Sequence, residues 1–209
     1  MEFQAGVKVD RYVLIEALGE GGQGAVWKAS DPLAPNVPCA LKLVPVIAGR
    51  PNDLERTRRE ARALAQLDHP TLVRSVSLFE DLKLGVLGIA MELVRGTSLR
   101  QLASSGRLSP SEKTQVLEHV ARALAYLHSK GVVHRDLKPG NVMLRDDGSV
   151  ALIDFGLAKA QALELEITDS GLIFGTPHYM SPEQGHGKPI DERSDLYSLG
   201  VILYEMVAG

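Results

Sequence analysis

The chain contains one cysteine, Cys39, among its 209 residues. Neither a disulfide framework nor a cysteine zinc cluster can form within it, and a reducing, cytoplasmic setting fits. Net charge is also scarce: 23 Lys+Arg against 26 Asp+Glu leave −3. That balance supplies no electrostatic drive toward nucleic acid or an anionic membrane surface. Apolar runs are strand-length or are broken by charges such as Glu205, so no segment is expected to span a bilayer. Met1 to Asp10 lack the apolar core of a secretory signal. There is no internal repeat and no low-complexity tract. What is present, 44% hydrophobic and 23% charged residues, belongs to a folded globular chain and excludes global disorder. The length suits one large domain or two small lobes.

The first ninety or so residues read mostly as strands. Tyr12 to Ile15 leads into a glycine-rich turn and Ala25 to Lys28 leaves it, as in a hairpin. Three prolines within Asp31–Pro38 predict a loop, with Cys39 to Val44 as a third strand. A helix is expected from about Asp53, with Leu54, Ala61, Leu64 and Leu67 on one face. Leu72 to Phe79 and Leu84 to Met91 restore strand character, and the pattern breaks at residues 92–96, where the lobe boundary is expected. Beyond it, Ser109-Pro110-Ser111-Glu112 is a capping box with proline at the first helical position. Val116, Val120, Leu124 and Leu127 follow at helical spacing, and Lys130-Gly131 ends the helix. Val142 to Leu144 and Val150 to Ile153 flank Asp146-Asp147-Gly148 as a small hairpin. A last helix, Glu192 to Val207, is apolar on most faces, as suits the middle of a domain.

Several residues carry chemistry. Gly19-Glu20-Gly21-Gly22-Gln23-Gly24-Ala25-Val26 lies between two strands; glycines there let backbone N–H groups approach phosphate oxygens, although the same run also serves a plain hairpin turn. A dinucleotide-binding fingerprint would open a helix, whereas this run continues into a strand. Lys42, among Ala40, Leu41 and Leu43, is either an exposed edge charge or a phosphate ligand. In the second case a carboxylate would hold it, and Glu60, one turn before Leu64 on the core side of the same helix, is the candidate, which spacing alone does not establish. More specific is His134-Arg135-Asp136-Leu137-Lys138-Pro139-Gly140-Asn141. Asp, Lys and Asn at these separations offer a base, a cation for a transferring phosphate, and an amide oxygen for a metal. Thirteen residues after Asn141, Asp154-Phe155-Gly156 places another carboxylate at a loop start; hard oxygens of this kind suit Mg²⁺.

Taken together, and in this order, these elements resemble the eukaryotic-like (Hanks-type) Ser/Thr protein kinases, and Gly175-Thr176-Pro177-His178-Tyr179-Met180-Ser181-Pro182-Glu183-Gln184 looks most like their bacterial members. The resemblance implies an α+β, bilobal fold: a β-rich ATP-binding N-lobe over 1–91 with one regulatory helix, a hinge at 92–96, and a mainly helical C-lobe over 97–209. It implies that Gly19 to Val26 cover the ATP phosphates and that Lys42, oriented by Glu60, holds the α- and β-phosphates. Ala40, Val26 and Met143 would pack on adenine, with Met91 at the gatekeeper position and Glu92 and Val94 as hinge backbone. Asp136 would accept or orient the substrate hydroxyl proton, Lys138 would steady the γ-phosphate, and Asn141 and Asp154 would bind Mg²⁺, with Mn²⁺ as an alternative ion.

Lys138 and Thr176 match Ser/Thr rather than tyrosine kinases, and small-molecule kinases of related fold usually lack the glycine run and the Ser181-Pro182-Glu183 segment. A protein substrate follows. Arg135 before the catalytic Asp is associated with activation-loop phosphorylation, for which Thr168 and Ser170 are candidates; Thr176 is expected to be structural. A homodimer for trans-autophosphorylation comes with the same resemblance. Gly140 and Ser181 depart from the family's usual residues at positions that touch no ligand. Asp195 matches the residue that braces the catalytic loop. Family members continue with further helices, and Glu183 normally pairs with an arginine there. The sequence therefore reads as a truncated kinase domain, with Glu183 expected to be a buried carboxylate without its partner, a cost comparable to a domain's stability margin. The alternatives are a pseudokinase, disfavoured because Lys42, Asp136, Asn141 and Asp154 are all present, and an inert fragment serving as a nucleotide-binding or interaction module.

Overall fold

Alternation of apolar and polar residues from Tyr12 to Val44 sends Leu14, Trp27, Ala29, Leu41 and Leu43 to one side of a sheet, where they are buried together. The computed structural model describes residues 3–21, 24–45, 62–63, 65–154 and 177–208. Two compact units are formed, Met1–Leu67 with Arg74–Leu93, and Asp68–Val73 with Val94–Gly209.

The first unit is an antiparallel sheet of six strands: β1 (Lys8–Val9), β2 (Tyr12–Gly21), β3 (Gly24–Asp31), β4 (Ala34–Pro45), β5 (Ser75–Asp81) and β6 (Val86–Glu92), in the order β1-β2-β3-β4-β6-β5. The expected hairpin around the glycine run is β2–β3, with Gly19 opposite Val26 and Gly21 opposite Gly24. The predicted loop at Asp31–Pro38 is wrong for most of its length, because β4 begins at Ala34. Its prolines are tolerated because pairing with β6 begins only at Cys39 opposite Glu92, and the β3 ladder is irregular between Ala29 and Asp31. A missing N–H costs nothing where no ladder bond is made. The strand expected from Leu72 starts at Ser75 instead, while Leu72 bridges to Leu152 in the second unit. Leu84 falls in a turn, where Asp81 Oδ1 accepts the N–H groups of Lys83 and Leu84 at 3.0 and 3.1 Å. Of the helix expected from Asp53, Leu54, Ala61 and Leu64 lie outside the described residues.

The second unit holds β7 (Gly96–Ser98), α1 (Leu99–Ser104), α2 (Pro110–Ser129), β8 (Val142–Arg145), β9 (Val150–Leu152), α3 (Pro182–Gly185) and α4 (Glu192–Ala208), with strand order β7-β8-β9. The Ser109 capping box forms: its hydroxyl accepts from Glu112 N–H, and the Glu112 carboxylate accepts from Ser109 N–H at 2.8 Å. The predicted stripe Val116, Val120, Leu124 and Leu127 is buried. Lys130 caps the helix and Gly131 takes φ 71°. In α4 the buried side is Ser194, Asp195, Ser198, Ile202 and Met206, while Leu196, Tyr197, Leu203, Tyr204 and Val207 are exposed. Among the described residues no helix is long and apolar enough to cross a membrane.

Candidate active site

In the first unit the sheet register gathers one group of predicted residues. Leu41 and Leu43 point into the core, so Ala40 and Lys42 point to the other face of β4. Val26 on β3 stands opposite Lys42, and Met91 on β6 stands opposite Ala40. Four predicted residues from three neighbouring strands therefore share the face away from the apolar core. Lys42 is 4% exposed, which removes the edge-charge reading. Gly24 has φ 118°, and a Cβ there would lie 2.1 Å from the Leu43 carbonyl oxygen; this turn must be glycine. Gly19, Glu20 and Gly21 end β2. Glu92 ends β6, and its N–H donates to Arg74 O at 3.0 Å. Gly22, Gln23 and Glu60 lie outside the described residues, as do Phe155, Gly156, Thr168, Ser170 and Thr176.

In the second unit the His134–Asn141 run forms a turn built around a buried carboxylate from α4. Asp195, 1% exposed, accepts His134 N–H at 2.8 Å and Arg135 N–H at 2.9 Å. A third contact, His128 Nε2 at 2.8 Å, reaches the same carboxylate from the last turn of α2. Such multiple donation is what makes a buried carboxylate tolerable. Asp195 thus braces the loop, as the resemblance implied. Arg135 is held at φ 67°, a left-handed conformation rare for a residue with a Cβ. His134 has no solvent exposure, and burial pushes its pKa below the ordinary 6.5 despite the nearby Asp195 and Asp136. Its neutral Nδ1 accepts Asp136 N–H at 3.3 Å.

Asp136, Lys138 and Asn141 come together. Lys138 Nζ lies 2.8 Å from Asp136 Oδ2. Asn141 Nδ2 donates to the Asp136 carbonyl at 2.8 Å and to Oδ2 at 3.2 Å. With its NH₂ committed to Asp136, the amide presents its oxygen to the opposite side, the atom a hard cation takes. Ile153 N–H donates to Asn141 O at 2.8 Å, which ties Asp154, the next residue, to the same loop. Asp154 is half-buried at φ 58°, a conformation that Asp accepts more readily than most residues. One amide and one carboxylate oxygen fit Mg²⁺, which keeps several of its waters. Met143 on β8 is half-buried, and Val94 is half-buried ahead of β7.

Residues 12–209 match the protein kinase domain family. The chain belongs to that family. A protein of Streptomyces coelicolor named as a probable serine/threonine-protein kinase is 40% identical over 201 residues, covering 94% of this chain and 30% of that protein. Serine/threonine-protein kinase PknA of Mycobacterium tuberculosis is 39% identical over 204 residues, covering 95% of this chain and 47% of PknA. The chain therefore spans about a third to a half of the length of these relatives. The crystal structure of the Mycobacterium tuberculosis PknI kinase domain superposes with a TM-score of 0.76 at 30% identity, over 98% of this chain and 77% of that one. The fold is accordingly the α+β protein kinase fold, and the relatives named here are bacterial serine/threonine kinases.

Two expectations about the second unit change. Glu183 is half-buried rather than a buried orphan: it accepts a hydrogen bond from the Ser194 hydroxyl, which holds its pKa below the usual carboxylate value. Ser181, read as a neutral departure, is the N-cap of α3, and its side chain accepts Gln184 N–H. Alanine could not do this. Two residues at the site escaped the sequence reading. His128 offers no local signal, since its partner lies 67 positions away. Gln184 does carry one, as the fourth residue of a Ser-x-x-Gln capping box, but its second bond, to Arg135 O at 2.8 Å, does not follow from that pattern.

Proposed function

We propose that this chain carries the catalytic machinery of an ATP-dependent protein Ser/Thr kinase. Residues 1–91 form its nucleotide-binding lobe, 92–96 the hinge, and 97–209 the part that bears the catalytic and activation loops. The observation that carries this reading is the Asp136–Lys138–Asn141 cluster on a turn braced by Asp195, with Asp154 tethered through Ile153. Asp136 orients the acceptor hydroxyl and takes its proton as the new O–P bond forms and the bond to the departing ADP oxygen breaks. Lys138, already against Asp136, offsets charge on the transferring group. Asn141 and Asp154 supply the oxygens for Mg²⁺, with Mn²⁺ as an alternative, and the ion when bound neutralises phosphate charge. Gly19 to Val26 cover the phosphates, and Lys42, with Glu60 as its carboxylate, holds the α- and β-phosphates. Val26, Ala40, Met91 and Met143 pack on adenine, with Glu92 and Val94 as hinge backbone. The acceptor is a Ser or Thr of a protein. Arg135 would pair with phosphorylated Thr168 or Ser170, with trans-autophosphorylation in a homodimer as the route, in the cytoplasm where ATP is available.

The test is intact-mass spectrometry of the chain after incubation with Mg²⁺ and ATP, beside an Asp136→Asn copy. Phosphate additions are expected on the parent and none on the variant. Additions on neither would overturn the catalytic reading for this chain and favour an inert nucleotide-binding or interaction module; additions on both would remove Asp136 from the mechanism.

A further inference from the structure

Arg135 sits in the left-handed region at φ 67° immediately before Asp136. A residue with a Cβ stays there only where its surroundings over-determine it. The restraint is visible on both sides. Arg135 N–H goes to Asp195 Oδ1 at 2.9 Å, and Arg135 C=O accepts Gln184 Nε2 at 2.8 Å. The second bond matters more for chemistry, because Arg135 C=O and Asp136 N–H belong to one planar peptide unit. The opposite edge of that plane is held by His134 Nδ1, at 3.3 Å from Asp136 N. Gln184 and His134 therefore fix the orientation of the peptide plane from which the Asp136 side chain springs.

Gln184 is well built for the task. It is 6% exposed, so its amide groups have no solvent to fall back on. Its Oε1 is committed to Ser181, accepting the backbone N–H at 3.0 Å and the hydroxyl at 3.2 Å. That commitment settles which way the amide faces and aims Nε2 at Arg135 O. The capping box of α3 thus orients a donor whose target lies 49 residues earlier in the chain. An ionised glutamate would cap α3 equally well but has no hydrogen to donate; the amide serves both ends.

We infer that Gln184 is a positioning residue for phosphoryl transfer, locking the Arg135–Asp136 peptide so that the Asp136 carboxylate keeps its orientation. Its consequence for turnover rests on the kinase reading above; the clamp itself does not. The experiment compares the full chain with Gln184→Glu and Gln184→Met, by steady-state phosphorylation of a Ser/Thr peptide and by amide hydrogen exchange across residues 132–138. Both variants are expected to lose about tenfold in kcat, with KM for ATP within about twofold of the parent. The Arg135 and Asp136 amides should exchange several-fold faster. Gln184→Glu is the discriminating variant, since it keeps the cap and guards against a Gln184→Met protein that fails to fold. Parent-like exchange and kcat in Gln184→Glu would reduce Gln184 to a helix cap and overturn the inference. If the parent itself transfers no phosphate, the catalytic reading fails, and the exchange rates alone still decide for or against the clamp.

Discussion

At the scale of single residues, His134 makes the stability of the fold respond to pH. Its imidazole is fully buried and its pKa is held below 6.5, chiefly by desolvation. A depressed pKa in the fold means that the unfolded chain takes up the proton first as the pH drops. The stability this group contributes is complete above about 6.5 and is lost progressively below it, toward its folded-state value. Urea midpoints measured at pH 7.5 and 5.5 should therefore fall for the parent and fall less for His134→Phe. An equal fall in both would show that other groups set the acid response. Tyr179 behaves in the opposite sense. Burial, then its 2.6 Å hydrogen bond to Glu205, pushes its phenol up to about 12. Its contribution is complete below pH 10 and is lost between about 10 and 12, outside the range in which a kinase works.

At the scale of elements, the glycine turn between β2 and β3 is constrained by its neighbour as much as by its own conformation. Gly24 has φ 118°, and any Cβ would meet the Leu43 carbonyl oxygen of β4 at 2.1 Å. Gly24→Ala must push β3 from β4 in addition to adopting a disfavoured φ. The expected loss is more than about 1 kcal/mol, seen as a lower urea midpoint, together with a raised KM for ATP if the turn covers phosphates. An unchanged midpoint would mean that the turn relaxes freely. By contrast Gly19 has open space where its Cβ would be, so Gly19→Ala should leave the unfolding free energy within about 0.5 kcal/mol of the parent.

At the scale of the whole molecule, the notable surface is the outer side of α4, where Leu196, Tyr197, Leu203, Tyr204 and Val207 are exposed at 46–77%. Its inner side carries Asp195, which braces the turn at His134–Asn141, and Ile202 and Met206, which are buried. The same helix thus supports the site with one face and offers an apolar patch with the other, and patches of this kind promote association. Replacing Leu203 and Val207 with Gln should reduce concentration-dependent association in sedimentation velocity while leaving the melting temperature within about 2 °C, because neither side chain is buried. A large drop in melting temperature would instead mean that these residues pack in solution.

Features that depend on neighbours within about four positions could be read directly from the residues. The capping box at Ser109 joins residues three apart, the α2 stripe repeats every three or four residues, and the β2–β3 hairpin closes over a short glycine turn. The list of catalytic candidates was equally readable, since Asp136, Lys138 and Asn141 lie within one short loop. Tertiary structure alone decided what depends on distant chain. The extension of β4 through Pro35 and Pro38 follows from where β6 begins to pair. The recovery of Glu183 depends on a Ser194 hydroxyl that spacing does not announce. The contacts that hold the turn at His134–Asn141, His128 to Asp195 and Gln184 to Arg135, join residues 67 and 49 positions apart. No local propensity encodes such pairs, because the energy that selects them is gained only when the core of the second unit closes and removes those polar groups from water.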